Sequence, residues 1–303
     1  MSKKLIALIA GIAVVVIAAV VVLVLVLRGG ESFRLLKMYE FEGTGSVFRE
    51  SKGDITPYPN MVLESGDKVS LDTGRLTIQA DEDKYIHLDE HSTIQLVASG
   101  NGTDSKTKIE LLKGGISNDI RNKLSANSSY EINTPNSTMS VRGTVFYTFI
   151  YEKDGVKYTR VCVFEGEVDT HLVYKDGTTE LKGVPVGKGK EVTIYEDGTT
   201  TDYLYDEPQD IDYNTIPENV LRDLRDLIDK DGKTLSITSP EITRILEGPY
   251  NVTFMYNGTE FGTQTVKKGE KAVVPALGPA HSGSWAFDFS QAIERDTTIE
   301  WQS

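Results

Sequence analysis

The chain has 303 residues, 45 acidic against 32 basic side chains, and one cysteine. Beyond residue 30 the balance is 29 basic to 45 acidic residues, a charge near −16. Such a surface repels phosphate backbones and argues against nucleic-acid binding. One cysteine also forms no intramolecular disulfide and rules out zinc sites built from several thiolates.

The first element is the apolar run Leu5–Leu27, 23 residues without a charged, polar or proline side chain. At about 1.5 Å per residue it makes a helix of about 35 Å, enough for a hydrocarbon core of about 30 Å. In lipid the helix is enforced, because every backbone N–H and C=O needs an internal partner. The run is longer than the apolar core of a signal peptide and ends in Leu27-Arg28-Gly29-Gly30 with no small-residue cleavage site, which predicts an uncleaved anchor. Basic residues flank both ends, so their count does not set the orientation. A tail of residues 1–4 before a long polar body predicts a cytoplasmic N-terminus and residues 28–303 outside. Residues 28–45 are expected to be a juxtamembrane segment.

From 46 to 205 the pattern is all-β. Leu76, Ile78 and Ala80 alternate with Thr77 and Gln79, Ile86 and Leu88 flank His87, and Ile94 and Leu96 flank Gln95. Asp72-Thr73-Gly74, Lys113-Gly114-Gly115, Asp154-Gly155, Asp176-Gly177 and Asp197-Gly198 read as turns. Val145 to Ile150 and Val161 to Phe164 are apolar on both faces and are expected to be central strands. Ile116, Ile120 and Leu124 recur at i, i+4, i+8 and predict a short helical crossing. Residues 206–248 read as a helical connector. Its first helix begins at Pro217, carries Leu221, Leu224, Leu227 and Ile228, and stops at Gly232; its second begins at Ser239-Pro240-Glu241 and stops at Gly248. Strands return over 249–303, a module of about 55 residues, small enough to need packing or partners.

The segment Thr134-Pro135-Asn136-Ser137-Thr138-Met139-Ser140-Val141-Arg142-Gly143-Thr144-Val145-Phe146 resembles the central motif of the FecR domain family. Met61 to Val69 is similar to that family's opening segment, Leu111 to Ile116 to the leucine-glycine turn before the motif, and Val161 to Val168 to its closing strand pair. The resemblance spans about residues 46–175. It implies an all-β, solenoid-like domain outside a membrane, acting as a binding and signalling module without enzymatic activity. Founding members are anti-sigma regulators with a cytoplasmic helical domain before the span; only Met1 to Lys4 stand there in this sequence, so that mechanism is not carried over. Residues 250–303 more weakly resemble the internalin-type B-repeat, through Val252 to Gly258, Gln264 to Glu270, Pro275, Trp285 and Thr297 to Trp301.

The motif residues Thr134, Pro135, Val141, Arg142, Gly143, Thr144 and Phe146 are expected to be structural. Gly143 would make a tight bend, and Arg142 would satisfy buried carbonyls there. Two strand-borne histidines, His87 and His91, would lie about 13 Å apart, too far to share a metal. Around Gly232 the spacing fails the EF-hand pattern, and His171 and His281 have no ligand pattern beside them. Asp81-Glu82-Asp83 reads as a solvated hairpin tip, with weak calcium binding left open. Cys162 lies in an apolar strand, where a thiol is inert. No catalytic residue, cofactor or metal is expected. The expected protein is a mainly β, single-pass bacterial cell-surface protein whose partner is an envelope protein or cell-wall polymer; the alternative is an envelope-signalling subunit that senses a ligand and regulates a membrane partner.

Overall fold

The computed structural model describes residues 36–100, 104–141, 143–196, 202–275 and 282–302. The apolar run 5–27, Arg142 and His281 lie outside them, and none of the described helices is long and apolar enough to cross a membrane.

The fold is mainly β. The first strands are β1 (Leu36–Arg49), β2 (Gly53–Ile55), β3 (Lys68–Ala80), β4 (Lys84–Leu88) and β5 (Ser92–Ser99). Then come β6 (Lys106–Ile120), β7 (Ser129–Thr134), β8 (Ser137–Val141), β9 (Val145–Lys153) and β10 (Val156–Glu165). The sheet closes with β11 (Glu167–Leu172), β12 (Val184–Gly187), β13 (Lys190–Glu196), β14 (Tyr203–Tyr205) and β15 (Gln209–Asp210). All fifteen join in one sheet. Helices α1 (Glu218–Asp229) and α2 (Ser239–Glu247) follow, and β16 (Tyr250–Tyr256), β17 (Thr259–Val266), β18 (Ser284–Trp285) and β19 (Thr297–Gln302) form a second, four-stranded sheet.

Two expected turns are corners inside long strands. At 72–74 the chain bends without ending β3: Gly74 (φ 99°) faces Gly43 (φ 112°) across the β1–β3 pair. A Cβ on Gly43 would lie 2.0 Å from the Thr73 carbonyl oxygen, so only glycine allows this approach. At Gly114 (φ 75°) β6 bends in the same way. Its first half pairs with β5 and β7, its second with β4 and β9. Strand β1 also starts at Leu36, earlier than its sequence pattern shows, because Gly43 and Gly45 interrupt the alternation there.

The expected helical crossing over 116–124 does not form: 116–120 are the end of β6, and 121–124 are neither helix nor strand. Positions 116 and 120 are even-spaced, so they share one face of a strand as readily as one face of a helix. Both isoleucines are buried, and Asn118 between them accepts a hydrogen bond from the Tyr130 hydroxyl at 2.8 Å. The expected turn Asp197-Gly198 lies outside the described residues. Strand β10 lies between β9 and β13, and the β9–β10 hairpin turns on Asp154 (φ 54°) and Gly155 (φ 78°).

The inner face of the bent sheet encloses the main core, including Ile78, Ile86, Ile94, Phe146 and Val163. On the outer face Val145, Tyr147, Cys162 and Phe164 pack under Val220, Leu221 and Leu224 of α1 and Ile242 and Leu246 of α2. The two helices are therefore a lid on the sheet. A third core, with Tyr250, Phe254, Trp285 and Ile299, holds the second sheet together.

Candidate interaction site

The motif residues build one end of the large sheet. Thr134-Pro135-Asn136-Ser137 is the tight turn joining β7 to β8, with Pro135 exposed at its tip. Beneath the proline the polar side chains are buried and bond to one another. The Thr134 hydroxyl contacts the Ser137 hydroxyl at 2.8 Å and receives the Ser137 N–H at 3.1 Å. Thr159 on β10 donates to the Asn136 side-chain oxygen at 2.6 Å. This knot ties the turn to a strand 25 residues away in sequence from Thr134, and it explains why threonine precedes the proline.

Val141 is buried at the end of β8, and Phe146 is buried in the core. Between them Gly143 takes φ 69°, the left-handed bend expected from sequence. Thr144 is fully buried and donates to the Glu167 carbonyl at 3.2 Å, while its own carbonyl accepts the Ile120 N–H at 3.1 Å. Next to the bend opens a recess of about 620 Å³, with Glu131, Ser140, Val141, Glu167, Asp169 and Pro185 among its lining residues.

A second polar site lies on the outer face, beneath α1, and was not singled out from the sequence. Asp89 accepts from the Tyr147 hydroxyl at 2.5 Å and from Asn219 Nδ2 at 2.6 Å. Asp223 meets Arg75 Nη2 at 2.6 Å and His87 Nδ1 at 3.9 Å. His87 also shares a 3.0 Å hydrogen bond with Thr77, and Arg75 reaches Glu40 at 3.0 Å. Further along, Asp119 pairs with Arg121 at 2.9 Å and Lys233 at 3.0 Å, and Arg121 reaches Asp231 at 2.8 Å. Of these, Glu40, Arg75, His87, Asp119, Arg121 and Asp223 border a cleft of about 380 Å³.

Burial sets their protonation. Desolvation pushes the His87 imidazole below its ordinary value, although Asp223 pulls the other way. It likewise pushes the Asp89 and Asp223 carboxyls up, opposed by the Tyr147 and Asn219 hydrogen bonds at Asp89 and by His87 and Arg75 at Asp223. Tyr147 is raised by burial and by the Asp89 charge. Arg75, Arg121 and Lys233 each meet a carboxylate, so the arrangement holds a helix onto a sheet; its charges are already spent on one another. The sequence offered one signal for it: Asn219, Asp223, Asp226 and Lys230 form a polar stripe at helical spacing beside the apolar stripe of α1.

The other expected sites resolve as follows. His91 is at a turn with φ 62°. In the tip Asp81-Glu82-Asp83, both aspartates pair with Lys84, at 3.1 and 2.7 Å. His171 contacts Asp169 at 3.1 Å. Cys162 is fully buried under the helices, and burial pushes its thiol well above the ordinary range.

Residues 67–169 match the model of the FecR protein family. No curated protein matches the chain. Two crystal structures of a putative anti-sigma factor from Parabacteroides distasonis ATCC 8503, at 1.65 and 2.50 Å resolution, are similar to it at 10% and 11% identity. Both alignments cover 78% of this chain, with 98% and 99% of the other, at a TM-score of 0.38, a distant likeness from which no function follows. The resemblance read from the motif thus stands: within the fifteen-stranded sheet, residues 67–169 are a FecR-type segment.

Proposed function

We propose that this chain is a non-enzymatic, single-pass bacterial cell-surface protein whose FecR-like ectodomain is a binding and scaffold module of the envelope. Residues 5–27 anchor it with the N-terminus in the cytoplasm, the bent sheet over 46–205 is a rigid solenoid-like platform, 206–248 joins it to the 249–303 module, and the partner is an envelope protein or cell-wall polymer. One observation carries the reading. The FecR match covers the strands that build the motif bend and most of the recess beside it. The bend is held by buried side chains, whereas the recess stays open and presents Glu131, Glu167 and Asp169. The polar groups under α1 are engaged with one another, whereas the acids of the recess face solvent, which favours the recess as the binding surface.

The test is capture from envelope extracts by the purified ectodomain, with the Glu167→Lys/Asp169→Lys variant beside it. A specific partner retained by the parent and lost by the variant is the expected result. Equal capture by both would move the binding surface elsewhere, and turnover of an envelope polymer by the pure protein would defeat the non-enzymatic reading.

A further inference from the structure

The strand that follows the apolar run starts at Leu36, and only residues 28–35 separate it from Leu27. Fully extended at about 3.3–3.6 Å per residue, that connection keeps Leu36 within about 30 Å of the hydrocarbon edge, and the headgroup layer takes up about 5–8 Å of this distance. The surface around Leu36 is therefore held within reach of the lipid.

That corner has a composition of its own. Tyr39 and Val62 are 50% and 64% exposed. Tyr39 packs edge-on against Tyr85, with ring centroids 5.6 Å apart. The Lys37 ammonium lies 5.3 Å from the Tyr39 ring centre, and the Arg121 guanidinium 4.4 Å from that of Tyr85. Lys37 bridges to Val62 across neighbouring backbone segments, which places Val62 beside the same cluster. Aromatic rings with a polar tip and long cationic side chains are what the headgroup layer favours. Nearby acids have cationic partners: Asp81 and Asp83 share Lys84, Asp119 and Asp231 share Arg121, and Glu40 meets Arg75. A body with a charge near −16 is repelled from an anionic leaflet over most of its surface, so close approach is confined to a corner of this kind.

We propose that the corner formed by Lys37, Tyr39, Val62, Tyr85 and Arg121 rests in the phospholipid headgroup layer of the membrane that residues 5–27 cross. The inference rests on the anchored reading above. It makes the ectodomain a docked body with a fixed underside, and it places the Gly143 bend near the membrane as well, because Gly143 lies against Asn122 and Lys123, just beyond Arg121.

The experiment uses the full chain in vesicles of phosphatidylethanolamine and phosphatidylglycerol. A nitroxide is attached at Val62→Cys and, as a distal control, at Leu181→Cys, a fully exposed position in the β11–β12 connection. Cys162 is fully buried and stays unlabelled, as the parent protein will verify. The label at 62 is expected to show a several-fold loss of relaxation by a water-soluble nickel chelate relative to 181, and Tyr39→Ser should restore chelate access at 62. If the protein floats with the vesicles but both labels are equally open to the chelate, the docked corner is wrong and the anchor stands. If the protein does not float with the vesicles, the anchor is wrong and the docked corner falls with it.

Discussion

Gly143 and His87 show how differently two residues can depend on their surroundings. Gly143 holds φ 69°, and a Cβ added there would meet no atom closer than 3.4 Å, so space is available and the backbone angle is the obstacle. Gly143→Val forces a β-branched residue into the left-handed region at about 1–3 kcal/mol. Against a total stability of about 5–15 kcal/mol, the thermal midpoint of the ectodomain should fall by several degrees in calorimetry. An unchanged midpoint would mean that the bend relaxes freely. His87 depends on what covers it. Its folded-state pKa is depressed by burial, so the folded protein takes up this proton less readily than the unfolded chain does. The stability it contributes is present above about pH 6.5 and is lost as pH falls below that value. Asp89 and Asp223 have raised values; their contribution is fully present below about pH 3.9 and is lost as pH rises through the folded values. Lowering the pH from about 7 to 5.5 should therefore cost the parent more of its urea midpoint than it costs His87→Gln, in which only the opposite trend of Asp89 and Asp223 remains. Identical slopes for parent and variant would remove His87 from the account.

At the scale of elements, the lid formed by α1 and α2 is decided by one stripe. Leu221 and Leu224 are both 1% exposed and fill the hollow over Tyr147 and Cys162. Leu224→Ala should cost about 2–5 kcal/mol in urea unfolding, the range for a buried leucine whose site cannot collapse. A loss below about 0.5 kcal/mol, typical of surface positions, would mean that the helices ride loosely on the sheet. Both helices were legible from sequence because proline, an apolar stripe and glycine mark them out, and Glu241 accepts the Thr238 N–H at 2.8 Å where α2 begins. Strand β6 was only half legible. Its apolar spacing over 116–120 suits both periods, and the choice was made by β4 and β9, which offer backbone partners on both sides.

Across the whole molecule, polar contacts link the second sheet to the helical lid, among them the 2.9 Å hydrogen bond from the Tyr250 hydroxyl to the Ile245 carbonyl. Arg244 on α2 pairs with Asp296 at 2.9 Å; Lys268 pairs with Glu218 on α1 at 3.1 Å and donates to the Leu246 carbonyl at 2.8 Å. The ion pairs are largely exposed and each contributes about 0–1 kcal/mol. Arg244→Ala/Lys268→Ala should thus leave the unfolding midpoint within a degree or two while widening the distance distribution between the two sheets in small-angle scattering. An unaltered distribution would show that other contacts hold the orientation. The sequence by itself determined the apolar run, the mainly β character of the body, the two helices and the FecR-type motif, because each is written in residues close together along the chain: an uninterrupted apolar stretch, period-2 alternation, caps and stops, a Thr-Pro turn and a glycine bend. Tertiary structure alone decided that Gly43 and Gly74 meet at a corner, that β6 extends into the start of an expected helix, and that His87, Asp89 and Tyr147 lie under Asn219 and Asp223. Those partners are 130 residues apart in the Asp89–Asn219 pair and 148 in Arg75–Asp223. Contacts over such separations arise only when the sheet has folded and α1 has buried its apolar stripe on it, since no local pattern encodes which distant polar groups that burial brings together.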